Sequence, residues 1–281
     1  MSSGRLELRA FRDGERTVVR DRHEGPLRVL AALHPEGPEV NHQVLVHPPG
    51  GLVGGDRLEL QVELAAGAHL LVTTPGATRL YRSRGDGIDG RDRASQHVVA
   101  SLAPDARLEW LPLETLVYPG AQSASHLSFA LAPGARMIGI DVLALGLPAS
   151  EQPFVRGRHQ QDLQITGVWR ERGLIDAADQ RLLRSPLGWA GRSVLATAWA
   201  AAGTAFSSAD AHTLLDAGRA VVAVSSLRDQ AGVTMPNPRV CVLRVLADRV
   251  EPAFDLLQRV WAAWRPAVMG RPACPPRVWR T

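Results

Sequence analysis

The chain contains no lysine. All 32 of its basic residues are arginine, against 28 acidic residues, for a formal charge of +4. A Schiff-base lysine, a P-loop lysine and a lysine general base are therefore excluded together. The same absence accounts for the isoelectric point of about 9.9. Between the histidine and arginine ranges only Cys241, Cys274, Tyr81 and Tyr118 titrate. Those few groups roughly discharge +4, so the crossing falls near 10 by default. The value reflects missing buffers, not a dense basic patch, and no nucleic-acid partner is expected.

Cysteine is nearly absent as well. The two residues lie 33 positions apart, without CxxC or zinc-ribbon spacing. A disulfide framework is not expected, and a reducing cytoplasmic setting is. The first residues are polar and charged, unlike a secretory signal. No apolar run approaches the roughly 18–20 residues of a membrane span, so no membrane partner is expected. Phenylalanine and isoleucine are scarce; Ala, Leu and Val carry the core.

What is present reads as short strands punctuated by Gly and Pro. Arg57–Glu63 alternates, with Leu58, Leu60 and Val62 on one face and charged or amide residues on the other. That is the period of a half-buried strand. Leu6–Arg9, Thr17–Arg20, Val44–His47, Arg107–Trp110 and Ser125–Phe129 share its texture. A near-repeat begins at Leu64, Leu102 and Leu131: Leu-Ala-x-x-Ala-x-apolar, with Gly or Asp at the fourth place. Pro followed by Gly or Asp is turn chemistry. The expectation is a series of antiparallel hairpins across residues 56–145, spaced too unevenly for a strict solenoid.

Two helices are expected in the C-terminal third. One starts at an N-cap Ser208 and stops at Gly218; the other runs from about Val250 to Trp264 and ends at Pro266. Phe254, Leu257, Trp261 and Trp264 form its apolar stripe, read as core. The whole chain, 1–281, is expected to be one mainly-β, layered, sandwich-like domain.

Two segments stand out chemically. His47-Pro-Pro-Gly-Gly-Leu-Val-Gly-Gly-Asp56 is neither a Walker loop nor a dinucleotide fingerprint. By itself it reads as a rigid turn capped by Asp56. Thr73–Ser83 (TTPGATRLYRS) reads as a capped turn or as an anion site built from hydroxyls and arginines. The nine histidines are scattered, and His42 and His47 fall on opposite faces of a strand. No His/Cys cluster has tight-site spacing, so no tightly bound cofactor is expected. Asp56, Glu114, Asp141 and Asp176 lie in or beside apolar segments, where a carboxylate needs a partner or water.

The blocks HPPGGLVGGD (47–56), TTPGATRLYRS (73–83), LEWLPLET (108–115) and PRVWRT (276–281) together resemble the urease accessory protein UreD (UreH) family, in order and over essentially the whole chain. The resemblance implies a non-enzymatic urease maturation factor on a mainly-β fold. Such a protein would bind a UreF-like helical accessory protein and, through it, a UreG-like GTPase, and would dock on apo-urease. It would help deliver nickel to the urease active site through an internal water-filled passage. Asp56 is the first candidate to line that passage, with His42, His47 and Asp141 beside it as transient nickel ligands; the family pattern is loose at Asp176. Arg79 and Leu113 depart from the Lys and Gln common in the family. The competing class is a hydrolase or transferase on an all-β scaffold, using the Thr73–Ser83 segment and Asp56.

Overall fold

The computed structural model describes residues 3–83 and 92–280. In chain order the strands are β1 (Ser3–Asp13), β2 (Arg16–Glu24), β3 (Arg28–Val29), β4 (Val40–Val46), β5 (Arg57–Leu64), β6 (His69–Thr73), β7 (Thr78–Leu80), β8 (Ala94–Leu102), β9 (Arg107–Leu111), β10 (Thr115–Val117), β11 (Gln122–Leu131), β12 (Arg136–Leu145), β13 (Arg158–Ile165), β14 (Trp169–Asp176), β15 (Val194–Ala202), β16 (Ala231–Asn237) and β17 (Val240–Ala247). The α-helices are α1 (Gln180–Arg184), α2 (Ser208–Ala223) and α3 (Val250–Met269). The mainly-β layered expectation therefore holds.

The strands form two facing sheets. One has the order β14-β13-β11-β8-β5-β1-β2; the other runs β16-β17-β15-β12-β9-β6-β4-β3, with β10 and β7 added beside β12. The hairpins expected across residues 56–145 are not there. Successive strands go to opposite sheets, so β5, β8 and β11 pair in parallel in one. Their successors β6, β9 and β12 pair in parallel in the other. Antiparallel pairing is confined to the flanks, at β1–β2, β13–β14, β3–β4 and β12–β15–β17–β16.

The repeated Leu-Ala turns are corners of this coil. Each closes with a backbone bond, Ala68 N to Ala65 O (3.1 Å), Ala106 N to Ala103 O (3.1 Å) and Ala135 N to Ala132 O (3.0 Å). Gly67, Asp105 and Gly134, fourth in the repeat and third in the turn, take positive φ, which is why Gly or Asp recurs there. Stacked corners bond to one another: Ala103 N to Leu64 O and Ala132 N to Leu102 O, both 2.9 Å. The extra length of the first coil holds the TTPGAT block. Alternation along β5 reveals one wet face and one buried face; it carries no information on the direction of the neighbour. The signal for the second sheet lies in β6, HLLVT, buried at every position because helices cover its outer face.

The helices are longer than expected. Ser207, not Ser208, caps α2, accepting from Asp210 N at 3.0 Å. Gly218 does not stop it; that glycine lets α2 approach Trp264 and Val233 closely. α3 continues through Pro266 to a left-handed Gly270, because Val268 and Met269 are buried and hold the final turn in place. One core fills the space between the sheets and a second lies under α2 and α3.

Candidate functional site

The glycine block and the TTPGAT block pack against each other. Leu52 N donates to Arg79 O at 2.7 Å, and Tyr81 N donates to Leu52 O at 2.8 Å. A Cβ on Gly51 would stand 2.5 Å from the Tyr81 ring and 2.7 Å from Arg79 O. Only glycine permits that approach. Asp56 ends the block by accepting from Val53 N at 3.1 Å, the capping role its position suggested.

The other two blocks join them. Leu113 N donates to Thr74 Oγ1 at 2.9 Å, and Thr73 Oγ1 donates to Leu111 O at 2.7 Å. Trp279 Nε1 from the terminal block donates to Thr73 Oγ1 at 2.9 Å. Thr281, the last residue of that block, lies outside the described residues. Ser83 Oγ accepts from Gln122 N at 3.1 Å. Thr73, Thr74 and Ser83 are thus engaged with backbone and tail. Tyr81 stacks edge-on with Tyr118, ring centres 4.9 Å apart.

A cleft of about 250 Å³ lies between the two blocks, lined in part by His47, Thr74, Arg79, Leu58 and Gln96. Burial lowers the His47 pKa, and the nearby Asp56 charge opposes that. His47 and Asp56 are therefore within electrostatic reach of each other.

From this cleft a polar row runs along the inner face of the first sheet. Leu58, Gln96, Ser125 and Gln161 lie side by side on β5, β8, β11 and β13. The rows beyond them are apolar: Leu60, Val98, Leu127 and Leu163, then Val62, Ala100, Phe129 and Ile165, all buried. Gln96, Ser125 and Gln161 are each only half-buried. Gln161 donates across the gap to the Asp141 carboxylate on β12. Beside Asp141 on the second sheet stand Thr197 and Arg244, and Arg244 pairs with Glu171 on β14. Burial pushes the Asp141 carboxyl up to about 6; Arg244 opposes this and Glu171 adds to it.

His42 is elsewhere. It lies on the helix-facing side of the second sheet, 2 % exposed, with Nε2 2.7 Å from Glu36 Oε1. Glu36 accepts from Arg265 Nη2 at 2.7 Å, and Arg265 also pairs with Glu109 at 2.9 Å. Glu109 further meets His69 Nε2 at 2.9 Å and accepts from Trp261 Nε1 at 2.8 Å. Burial alone would raise the Glu109 carboxyl, but His69 and Arg265 outweigh it and hold it at about 2. Asp176 stands apart too, paired with Arg158 at 2.7 Å and accepting from Ala178 N at 2.9 Å. The bond from Ala178, with help from Arg158, holds its carboxyl below the usual range.

His47 and Gln96 thus line one cleft, and Gln161 at the far end of the row reaches Asp141; Asp56 caps the glycine block near His47 without lining the cleft, and His42 lies elsewhere. Sequence reasoning missed Gln96, Ser125 and Gln161. Their signal was legible: each lies in the first half of its strand, in the phase that is apolar in the second half. It also missed the Glu36–Arg265–Glu109–His69 chain, whose members come from distant segments. Among the described residues, no three His, Cys, Asp or Glu side chains are grouped to hold a metal ion.

A family profile described as UreD urease accessory protein matches residues 2–280. The chain is 52 % identical over 280 residues to the urease accessory protein UreD of Leptothrix cholodnii, covering 99 % of both chains. It is 53 % identical over 267 residues to that of Albidiferax ferrireducens, covering 95 % of both. It is 53 % identical over 275 residues to that of Verminephrobacter eiseniae, covering 98 % of both.

Proposed function

The chain belongs to the UreD urease accessory protein family, whose role is in urease maturation, and from that premise we propose that it is a nickel-conducting scaffold. It binds a UreF-like helical partner and, through it, a UreG-like GTPase, in the cytoplasm. The assembly docks on apo-urease, and nickel crosses this subunit between its two sheets. The chain performs no catalysis of its own; nickel is cargo.

The observation that carries this reading is the polar row Gln96–Ser125–Gln161. It runs from Gln96, which lines the cleft with His47, to Gln161, which donates to Asp141, beside the buried Ser123–His159 pair on the same face. A conduit must bind its ion weakly enough to release it. Amide, hydroxyl and carboxylate oxygens with one imidazole suit nickel without caging it. Half-buried polar side chains with few protein partners are matched by water, so the row favours a hydrated path. Two indole N–H groups facing the same interior, on Trp110 and Trp199, and the Gln43 carbonyl have no protein partner among the described residues. Water is the remaining partner for such buried groups.

Reconstitution of urease activation tests the reading. Apo-urease, the helical partner, the GTPase, GTP, bicarbonate and nickel should give active urease only when this chain is present. Equal activation without it would overturn the proposal.

A further inference from the structure

A second row lies beside Gln96, Ser125 and Gln161 on the inner face of the first sheet. Ala94, Ser123 and His159 are in register on β8, β11 and β13. Each stands two residues before its counterpart in the first row, so both rows share one face. Asp56 precedes the Arg57–Ser95 pair and lies at the start of this second row, with Ser95 N donating to its backbone oxygen at 2.9 Å. His159 is 1 % exposed and Ser123 2 %.

His159 Nδ1 is 2.9 Å from Ser123 Oγ, the one hydrogen bond of the ring among the described residues. In the tautomer whose Nδ1–H donates to Ser123, Nε2 keeps its lone pair. That is how an outer partner fixes a metal-ligating histidine. Burial pushes the imidazole down to about 3, and Arg93 and His126 add to this, so the ring is neutral.

The rest of the row offers oxygen donors: two amides, a hydroxyl and the Asp141 carboxylate. Oxygen ligands suit magnesium and calcium as well as they suit nickel, whereas imidazole favours nickel. A single imidazole without two further grouped ligands holds an ion weakly. The Arg93 guanidinium, which already opposes positive charge on the ring, weakens that hold further.

We propose that His159 is the selectivity point of the interior path: its Nε2 takes nickel in passing and gives it an advantage over hard cations that the oxygen donors alone would admit. The inference rests on the conduit reading above. His159 is a passing ligand, and Ser123 is its positioning residue.

Two measurements test it. In the first, the full-length chain with 15N-labelled histidines is titrated with nickel chloride, and His159→Gln identifies the His159 ring signals by their absence. Nickel should broaden those signals, and excess magnesium chloride should not restore them. In the second, nickel loading of urease is reconstituted with and without excess calcium. The wild-type chain should load nearly as much nickel in calcium as without it. His159→Gln should load about tenfold less in calcium than without it. A purely structural role would lower both values together and leave their ratio unchanged. Circular dichroism reports whether the variant is folded; if it is not, Ser123→Ala, which keeps the imidazole and removes its partner, gives the same comparison. Unmoved His159 signals, or a calcium ratio equal to wild type, would overturn the assignment and leave the conduit reading standing. If the wild-type chain loads no nickel even without calcium, the conduit reading fails and the assignment falls with it.

Discussion

Asp141 and Glu109 show how one residue type is tuned in opposite directions. Asp141 is raised from an ordinary 3.8 to about 6, chiefly by burial. Between those values the folded chain holds a proton that the unfolded chain has released. Its contribution to stability therefore falls as pH rises from about 4 to about 6. Urea unfolding at several pH values checks this: Asp141→Asn should remove that part of the pH dependence and gain relative to wild type above pH 6. Glu109 is lowered from 4.5 to about 2 despite full burial. Its contribution is present above the ordinary value and is lost as pH falls from about 4.5 towards 2. Glu109→Gln leaves Arg265 buried without that counter-charge and should cost about 3–5 kcal/mol at neutral pH in the same assay. Arg265 is wholly buried, so solvent cannot replace the lost carboxylate. These residues were only partly legible in the sequence. Asp141 was visible as an acid in an apolar strand; Glu109 was hidden because its partners, Glu36, His69 and Arg265, lie far apart along the chain.

At the scale of elements, period was readable and pairing was not. The alternation of β5 and the apolar texture of β6 announced strands, yet hairpins and parallel coils share those patterns. The difference lies in the stacking of the corners at 65–68, 103–106 and 132–135, which depends on hydrogen bonds between turns. The helix ends shifted for a similar reason: Gly218 and Pro266 are local stop signals overridden by burial of Val222 and Val268. The two glycine-rich blocks make a sharper prediction. Gly51→Ala drives a methyl group into Tyr81 and Arg79 and should cost about 1–3 kcal/mol in denaturant unfolding. Gly76→Ala, on the neighbouring block, meets nothing within 4 Å and should change stability by less than about 0.5 kcal/mol. Equal effects from the two would mean that the blocks do not pack as described.

For the whole molecule, the absence of lysine, of a cysteine cage and, among the described residues, of a clustered metal site leaves shape as the main resource. The coil sets two sheets face to face and lines most of the gap with Leu, Val and Ala. Among the polar exceptions is the row that opens beside the glycine block and ends at Asp141. The most direct test of its role is the nickel content of urease after reconstitution with the wild-type chain or with the double variant Gln96→Leu/Ser125→Val. Both chains must first be shown to be folded and to bind the helical partner equally. The row as a nickel path predicts that the double variant delivers no more nickel than a reaction lacking the chain. Nickel loading equal to wild type would contradict it.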